Sequence, residues 1–157
     1  MKKVKVTELL MFIVGAELVG ALSGLVSGGG FGEYYGSLSK PPLSPPGWVF
    51  PLVWGILYAL MGAAAYLVFA GEGEGRSWAL KLYGAQLFVN FLWSPVFFGL
   101  RSTAGAVVVI ILLAALVAVM LMSFRKVSRP AAWLTLPYLI WVLYAVYLTV
   151  GVWGLER

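Results

Sequence analysis

Five apolar runs follow one another along the chain, at 6–26, 48–70, 78–100, 104–124 and 131–153. Each holds about 20 residues or slightly more, enough for a helix to cross the roughly 30 Å hydrocarbon core of a bilayer. Between them lie Gly71-Glu-Gly-Glu-Gly-Arg76, the very tight turn Arg101-Ser-Thr and the basic loop Arg125-Lys126-Val-Ser-Arg129-Pro130. The pattern predicts an all-α integral membrane protein, a five-transmembrane-helix bundle that forms a single membrane domain over 1–157. The first run follows a basic start and ends in small residues near Ser23, which loosely fits a signal peptide. It is longer than a usual signal core, so a retained span is the better reading.

Within the runs, certain residue types recur at helical spacing. Trp54, Tyr58, Met61 and Ala65 share one face, as do Gln86, Asn90, Trp93 and Phe97, and again Tyr138, Trp141, Ala145 and Leu148. The fourth run shows no such contrast and reads as a lipid-facing helix. In the first, Gly20, Gly24 and Gly28 form a small-residue stripe that lets another helix come close. Glu17 lies near the middle of the same run, where a carboxylate is costly. It either serves a function, or faces a polar neighbour such as Gln86, or sits protonated in the bundle. Pro95 is expected to kink the third run or free a carbonyl near its end.

The segment 27–47 reads as a loop, and loops of that length are usually functional or disordered. Lys40, Pro41, Pro42, Leu43, Ser44, Pro45 and Pro46 make it stiff, because each proline fixes φ and removes a donor. Trp48 and Pro51 follow directly at the start of the second run. An ordered loop capping a central pocket is therefore expected. If the stripes carrying Trp54, Trp93 and Trp141 converge, they make an aromatic-walled site for a flat hydrophobic molecule, with Asn90 and Gln86 as hydrogen-bonding groups. The alternative for indoles is an interfacial belt, which suits Trp48, Trp78, Trp133 and Trp153 better than the mid-span three.

Composition narrows the chemistry. The 157 residues are 62% hydrophobic and 11% charged, with a mean hydropathy of +0.95 and no Cys or His. Disulfides, thiol nucleophiles, zinc sites and His-based triads are excluded. A haem iron would find only Tyr or Met. The carboxylates, all Glu, are too scattered for paired acid–base work, and no Walker-type phosphate loop is present. No resident metal or cofactor is expected. The net charge of +5 reads as loop charge setting topology, not as a nucleic-acid surface. Lys2, Lys3, Lys5, Arg76, Lys81, Arg125, Lys126 and Arg129 fall on one side, against Lys40, Arg101 and Arg157 on the other. The bias predicts a cytoplasmic N-terminus and an external proline segment.

The ordered set Lys40-Pro41, Pro45-Pro46, Trp48, Pro51, Trp54 and Leu57-Tyr58, then Gln86-Leu87, Asn90, Trp93 and Phe97-Phe98-Gly99, then Pro137-Tyr138-Leu139 with Trp141, resembles the translocator protein family. Its members are also called tryptophan-rich sensory proteins or peripheral benzodiazepine receptors (TspO/MBR). The likeness covers essentially the whole chain. It implies a five-helix bundle, commonly a homodimer, with a pocket under the first loop that takes porphyrins such as protoporphyrin IX or haem as ligand. It places Trp48, Trp54, Tyr58, Gln86, Asn90, Trp93, Phe97, Tyr138, Trp141 and Ala145 at the ligand, and Lys40, Pro41, Pro45 and Pro46 in the lid. Leu43 replaces a Trp common in the family and Thr149 an Asn. The family's cholesterol pattern fails, because Tyr147 is too far from Arg157.

The implied role is a prokaryotic plasma- or outer-membrane receptor or carrier for tetrapyrrole sensing, sequestration or transport. A second reading is light-dependent porphyrin breakdown assisted by Trp54 and Trp141. A third is a proton-coupled exporter built on Glu17.

Overall fold

A computed structural model describes residues 3–28 and 31–156, with Phe31 and Gly32 described by backbone alone. Lys2, Gly29, Gly30, Arg157 and the Phe31 side chain, which entered the reading of charge, loop and cholesterol pattern, lie outside the described residues. The chain forms α1 (Val6–Val26), α2 (Phe31–Ser37), α3 (Val49–Ala70), α4 (Arg76–Ser94), α5 (Thr103–Val127) and α6 (Arg129–Glu156). Four of these, α1, α3, α5 and α6, are long and apolar enough to cross a membrane on length and composition alone. The less apolar α4 carries Arg76, Lys81, Gln86 and Asn90, and lies against α1, α3 and α5 to complete the bundle of five long helices.

Local chemistry explains several helix ends. The Ser102 hydroxyl accepts from Gly105 N at 3.0 Å to cap α5, which closes on Arg125 and Lys126 at its negative end. The Ser128 hydroxyl accepts from Ala131 N at 3.3 Å at the start of α6. At Pro95, where a kink or a freed carbonyl was expected, the helix passes into a π-helical turn, Pro95–Gly99. The Pro95 carbonyl accepts from Leu100 N at 2.8 Å. The wider turn buries the consecutive Phe97 and Phe98, ring centroids 4.6 Å apart.

Two sequence expectations need correction. The segment 27–47 is not loop throughout, since α2 occupies part of it. Nor is α5 a lipid-facing helix: Ala106, Ile110, Leu113, Val117, Met120 and Phe124 are all 0% exposed, a stripe packed between α4 and α6. The buried face is invisible in sequence because the opposite face, meeting lipid, is equally apolar.

Helices in a bilayer associate through close packing and hydrogen bonds, not through exclusion of water. The α1–α3 seam shows this at Gly62, where a Cβ would lie 2.7 Å from Ile13 Cα and from the Phe12 carbonyl oxygen. At one end of the bundle Lys5 N donates to Tyr66 Oη at 2.7 Å and Gly71 abuts Val127. At the other end α2, the proline segment and the end of α6 meet, with Ser39 N donating to Glu156 Oε1 at 2.5 Å.

Gly62→Ala should therefore destabilise the protein by about 1–3 kcal/mol, because backbone must shift to admit the methyl. Gly84→Ala, which meets nothing within 4 Å, should stabilise by up to ~1 kcal/mol. Thermal unfolding in detergent micelles checks both.

Candidate functional site

The polar residues of the third and fifth runs meet those of the second in one buried chain of hydrogen bonds. Tyr58 Oη donates to Asn90 Oδ1, and Asn90 Nδ2 donates to Tyr138 Oη at 2.7 Å. Tyr138 Oη then donates to Gln86 Oε1 at 2.6 Å, and Gln86 Nε2 approaches Met61 Sδ at 3.7 Å. Tyr138 and Gln86 are fully buried. The chain joins α3, α4 and α6 and leaves no polar atom of Asn90 or Gln86 without a partner.

One turn away along each helix stand the three tryptophans. Trp54 lies 6.5 Å from Trp93 and 6.5 Å from Trp141, centroid to centroid. Trp93 stacks on Phe97 at 5.2 Å, and Trp54 packs against Tyr58 and edge-on to Tyr138. The indole N–H groups of Trp93 and Trp141 are buried without an acceptor. A buried donor with no partner is costly.

A cavity of about 240 Å³ opens beside this cluster. The α3 wall is Phe50, Pro51, Trp54 and Tyr58; the α4 wall and π turn supply Asn90, Trp93, Ser94 and Phe98. The third wall is α1, through Gly20, Ser23, Gly24, Ser27 and Gly28. A Cβ on Gly20 would sit 2.3 Å from the Tyr58 ring, whereas one on Gly24 would meet nothing within 4 Å. The stripe thus both seats a ring and leaves space. Ser23 Oγ donates to the Phe91 carbonyl at 2.7 Å, and the Ser27 and Ser94 hydroxyls lie 2.8 Å apart, tying α1 to α4.

The ten residues singled out from sequence do not all line this space. Trp54, Tyr58, Asn90 and Trp93 do; Gln86 and Tyr138 stand behind Asn90. Trp141 touches Trp54 but opens on an outer groove, and Phe97 and Ala145 border a space of about 10 Å³ under the proline segment. Trp48 is 68% exposed on an outer crevice with Pro45 and Pro46. Phe50 and the α1 wall were missed, although the small-residue stripe was their signal. Glu17, three residues before Gly20, makes no hydrogen bond to Gln86, whose amide is committed to Tyr138 and Met61.

The proline segment is fixed chiefly to α6. Pro41 is buried on Gly151, whose added Cβ would lie 2.5 Å from Pro41 Cγ. Tyr147 Oη donates to the Pro42 carbonyl at 2.6 Å and Tyr144 Oη to that of Leu43, which adopts left-handed backbone at φ 70°. Tyr35 Oη donates to the Pro45 carbonyl at 2.6 Å, and its ring packs 5.1 Å from Phe50. Lys40 Nζ donates to the Tyr35 and Leu38 carbonyls and lies 4.8 Å from the Tyr35 ring centroid. Burial, aided by the nearby Tyr144 phenol, pushes the Tyr35 hydroxyl up to about 12.

Five long helices, a polar chain in their interior and an aromatic cavity between α1, α3 and α4 define an integral, multi-pass membrane protein with an interhelical site; Lys40, Pro41, Pro45 and Pro46, expected to cap it, do not line it. Residues 12–154 match the model of the TspO/MBR family. Over 131 residues the chain is 40% identical to the translocator protein of Ovis aries, covering 82% of this chain and 77% of that protein. It is 45% identical over 113 residues to the tryptophan-rich sensory protein of Cereibacter sphaeroides (72% and 70%). Protein CrtK of Rhodobacter capsulatus is 36% identical over 152 residues (96% and 93%). The chain belongs to the TspO/MBR family.

Asn90→Leu should cost about 1–3 kcal/mol by orphaning the Tyr58 hydroxyl. Adding Tyr58→Phe should recover part of that loss, read as the midpoint of thermal unfolding in detergent. At the lid, a phenol whose folded pKa is raised stabilises fully below its unfolded value near 10 and loses that contribution as pH rises through about 12. Tyr35→Phe should therefore remove part of the alkaline destabilisation between pH 10 and 12, followed by unfolding midpoints of both proteins across that range.

Proposed function

We propose that this protein is a membrane receptor or carrier for porphyrins, protoporphyrin IX or haem, acting in tetrapyrrole sensing, sequestration or transport. The observation that carries the reading is the cavity whose α3 and α4 walls include Trp54, Tyr58 and Trp93. Aromatic faces suit a flat conjugated ring. Asn90, Ser27 and Ser94 supply the few polar groups such a site uses to orient its ligand.

The volume, about 240 Å³, falls below the roughly 300–1,000 Å³ of typical ligand pockets. A macrocycle therefore enters by one edge, with the remainder at the mouth. Among described cavity residues the only side chain able to reach iron is Tyr58, and its hydroxyl is held by Asn90. Haem is bound as a ring and not through an axial ligand, so the metal-free porphyrin serves equally. The names of the relatives, translocator and tryptophan-rich sensory protein, accord with carriage and sensing.

The same reading places the basic end, with Lys3, Lys5, Arg76, Lys81, Arg125, Lys126 and Arg129, in the cytoplasm of a prokaryotic host. The proline segment, with Lys40, then faces outward. The outer face of α1, where Leu10, Met11, Val14, Leu18 and Leu22 are exposed, is free for lipid or a second copy of the chain. Contact of Trp54 with both Trp93 and Trp141 favours a second activity, light-driven porphyrin breakdown, in which the excited pigment supplies the reactive species and the cavity indoles Trp54 and Trp93 are oxidisable groups beside it.

Titration of the purified protein with protoporphyrin IX, in the dark and under light, tests both. Saturable quenching of tryptophan fluorescence is expected. Gly24→Leu, whose Cβ has open space and whose side chain would occupy the cavity, should weaken binding at least about tenfold, whereas Gly15→Leu, whose Cβ is also in open space, should not. Unchanged affinity in Gly24→Leu places the pigment elsewhere. Light-dependent product no greater than that of free porphyrin in the same detergent removes the second activity.

A further inference from the structure

Away from the cavity, α6 borders two neighbouring outer grooves, one against α5 and one against Val53 and Leu57 of α3, which share Trp133 and Leu136 as walls. The one nearer the basic end, about 350 Å³, is bordered by Arg125 and Arg129; the other, about 550 Å³, runs on past Ile140 to Tyr144. Both arginines are exposed, and neither has a hydrogen bond, ion pair or ring contact among the described residues. Glu72 and Glu74 occupy the α3–α4 turn at this end, but neither borders the groove.

Ordinary helix electrostatics explains one arginine and not the other. Arg125 lies in the last turn of α5, where a cation meets the negative end of the helix. Arg129 opens α6, where the helix end is itself positive and a cation is disfavoured. Two unpaired cations beside a positive helix end call for an anion between them. Topological charge alone requires basic residues on this side; it does not require an aromatic, apolar trough leading away from them.

The dimensions identify the anion's carrier. From Arg129 to Tyr144 the helix rises about 22 Å, which matches the depth of one leaflet with its head-group layer, about 20–22 Å. We propose that these two grooves together bind one anionic phospholipid from the leaflet at the basic end, its path crossing from one to the other over Trp133 and Leu136. Its phosphate lies between Arg125 and Arg129, and one acyl chain lies along Trp133, Leu136 and Ile140. The exposed face of Trp133, 71% accessible, then marks the junction of head group and chain, the depth at which indoles are favoured.

Native mass spectrometry of the purified protein in neutral detergent, with added phosphatidylglycerol or phosphatidylcholine, tests the assignment without reference to porphyrin. One retained phosphatidylglycerol per chain is expected, preferred over phosphatidylcholine by about thirtyfold, the effect of two arginines near a phosphate. Arg125→Gln with Arg129→Gln should abolish the preference, whereas Lys81→Gln, at the same end but outside the groove, should keep it. Ile140→Trp, which fills the trough, should reduce retention of both lipids. Equal retention of the two lipids, a preference that survives the double substitution, or unaltered retention in Ile140→Trp would each overturn the proposal. Displacement of the lipid by glycerol phosphate alone would show an anion site without an acyl groove, and would overturn it as well.

Discussion

A polar side chain in hydrocarbon must find its partner inside the protein, and here four of them find one another. Tyr58, Asn90, Tyr138 and Gln86 form a single chain across α3, α4 and α6. Because an unmet donor or acceptor there costs far more than in water, the chain fixes the rotation and axial register of all three helices at once. The tryptophans inherit that register. Trp54 precedes Tyr58 by four residues, Trp93 follows Asn90 by three and Trp141 follows Tyr138 by three, so each indole is carried to the same side of the polar chain. The contacts of Trp54 with Trp93 and with Trp141, each at 6.5 Å, are a consequence of hydrogen bonding one turn away.

The cavity arises from an opposite device, the omission of side chains. Where α1 passes Tyr58 and Trp93 it presents Gly20, Ser23, Gly24 and Ser27. Gly20 closes on the Tyr58 ring, and Gly24 leaves a gap that no neighbour fills. Two serine hydroxyls hold the helix at this spacing by bonding to α4 rather than by filling the space. An apolar hollow walled by rings on one side and backbone on the other is the result.

Legibility in the sequence followed contrast. The stripes of Tyr, Asn, Gln and Trp stood out against aliphatic surroundings, and the structure brings those stripes into contact. The buried face of α5 had no contrast to offer, since Ile110, Leu113 and Val117 differ little from the valines and leucines that face lipid. The α1 wall carried a signal that supports two outcomes: small residues permit either close packing or a void, and only the shape of the facing helix decides which. Tyr144 and Tyr147 carried no sequence signal for their part in the structure, where their hydroxyls hold the proline segment. Their partners are backbone carbonyls about a hundred residues away, which no local pattern reveals.

The two devices leave the walls of the site unequally secured. The proline segment is held by Tyr35, Tyr144, Tyr147 and Glu156 through hydrogen bonds and by Pro41 seated on Gly151. The α3 and α4 walls are held by the polar chain. By contrast, α1 buries only Ala16 and Ser23 along its length, and beside the cavity it is joined to α4 through two serines. Stiffness in the lid therefore does not imply a sealed chamber. Local opening is least costly where buried contacts are fewest, which at this site is the glycine-bearing edge of α1 and not the tethered proline segment.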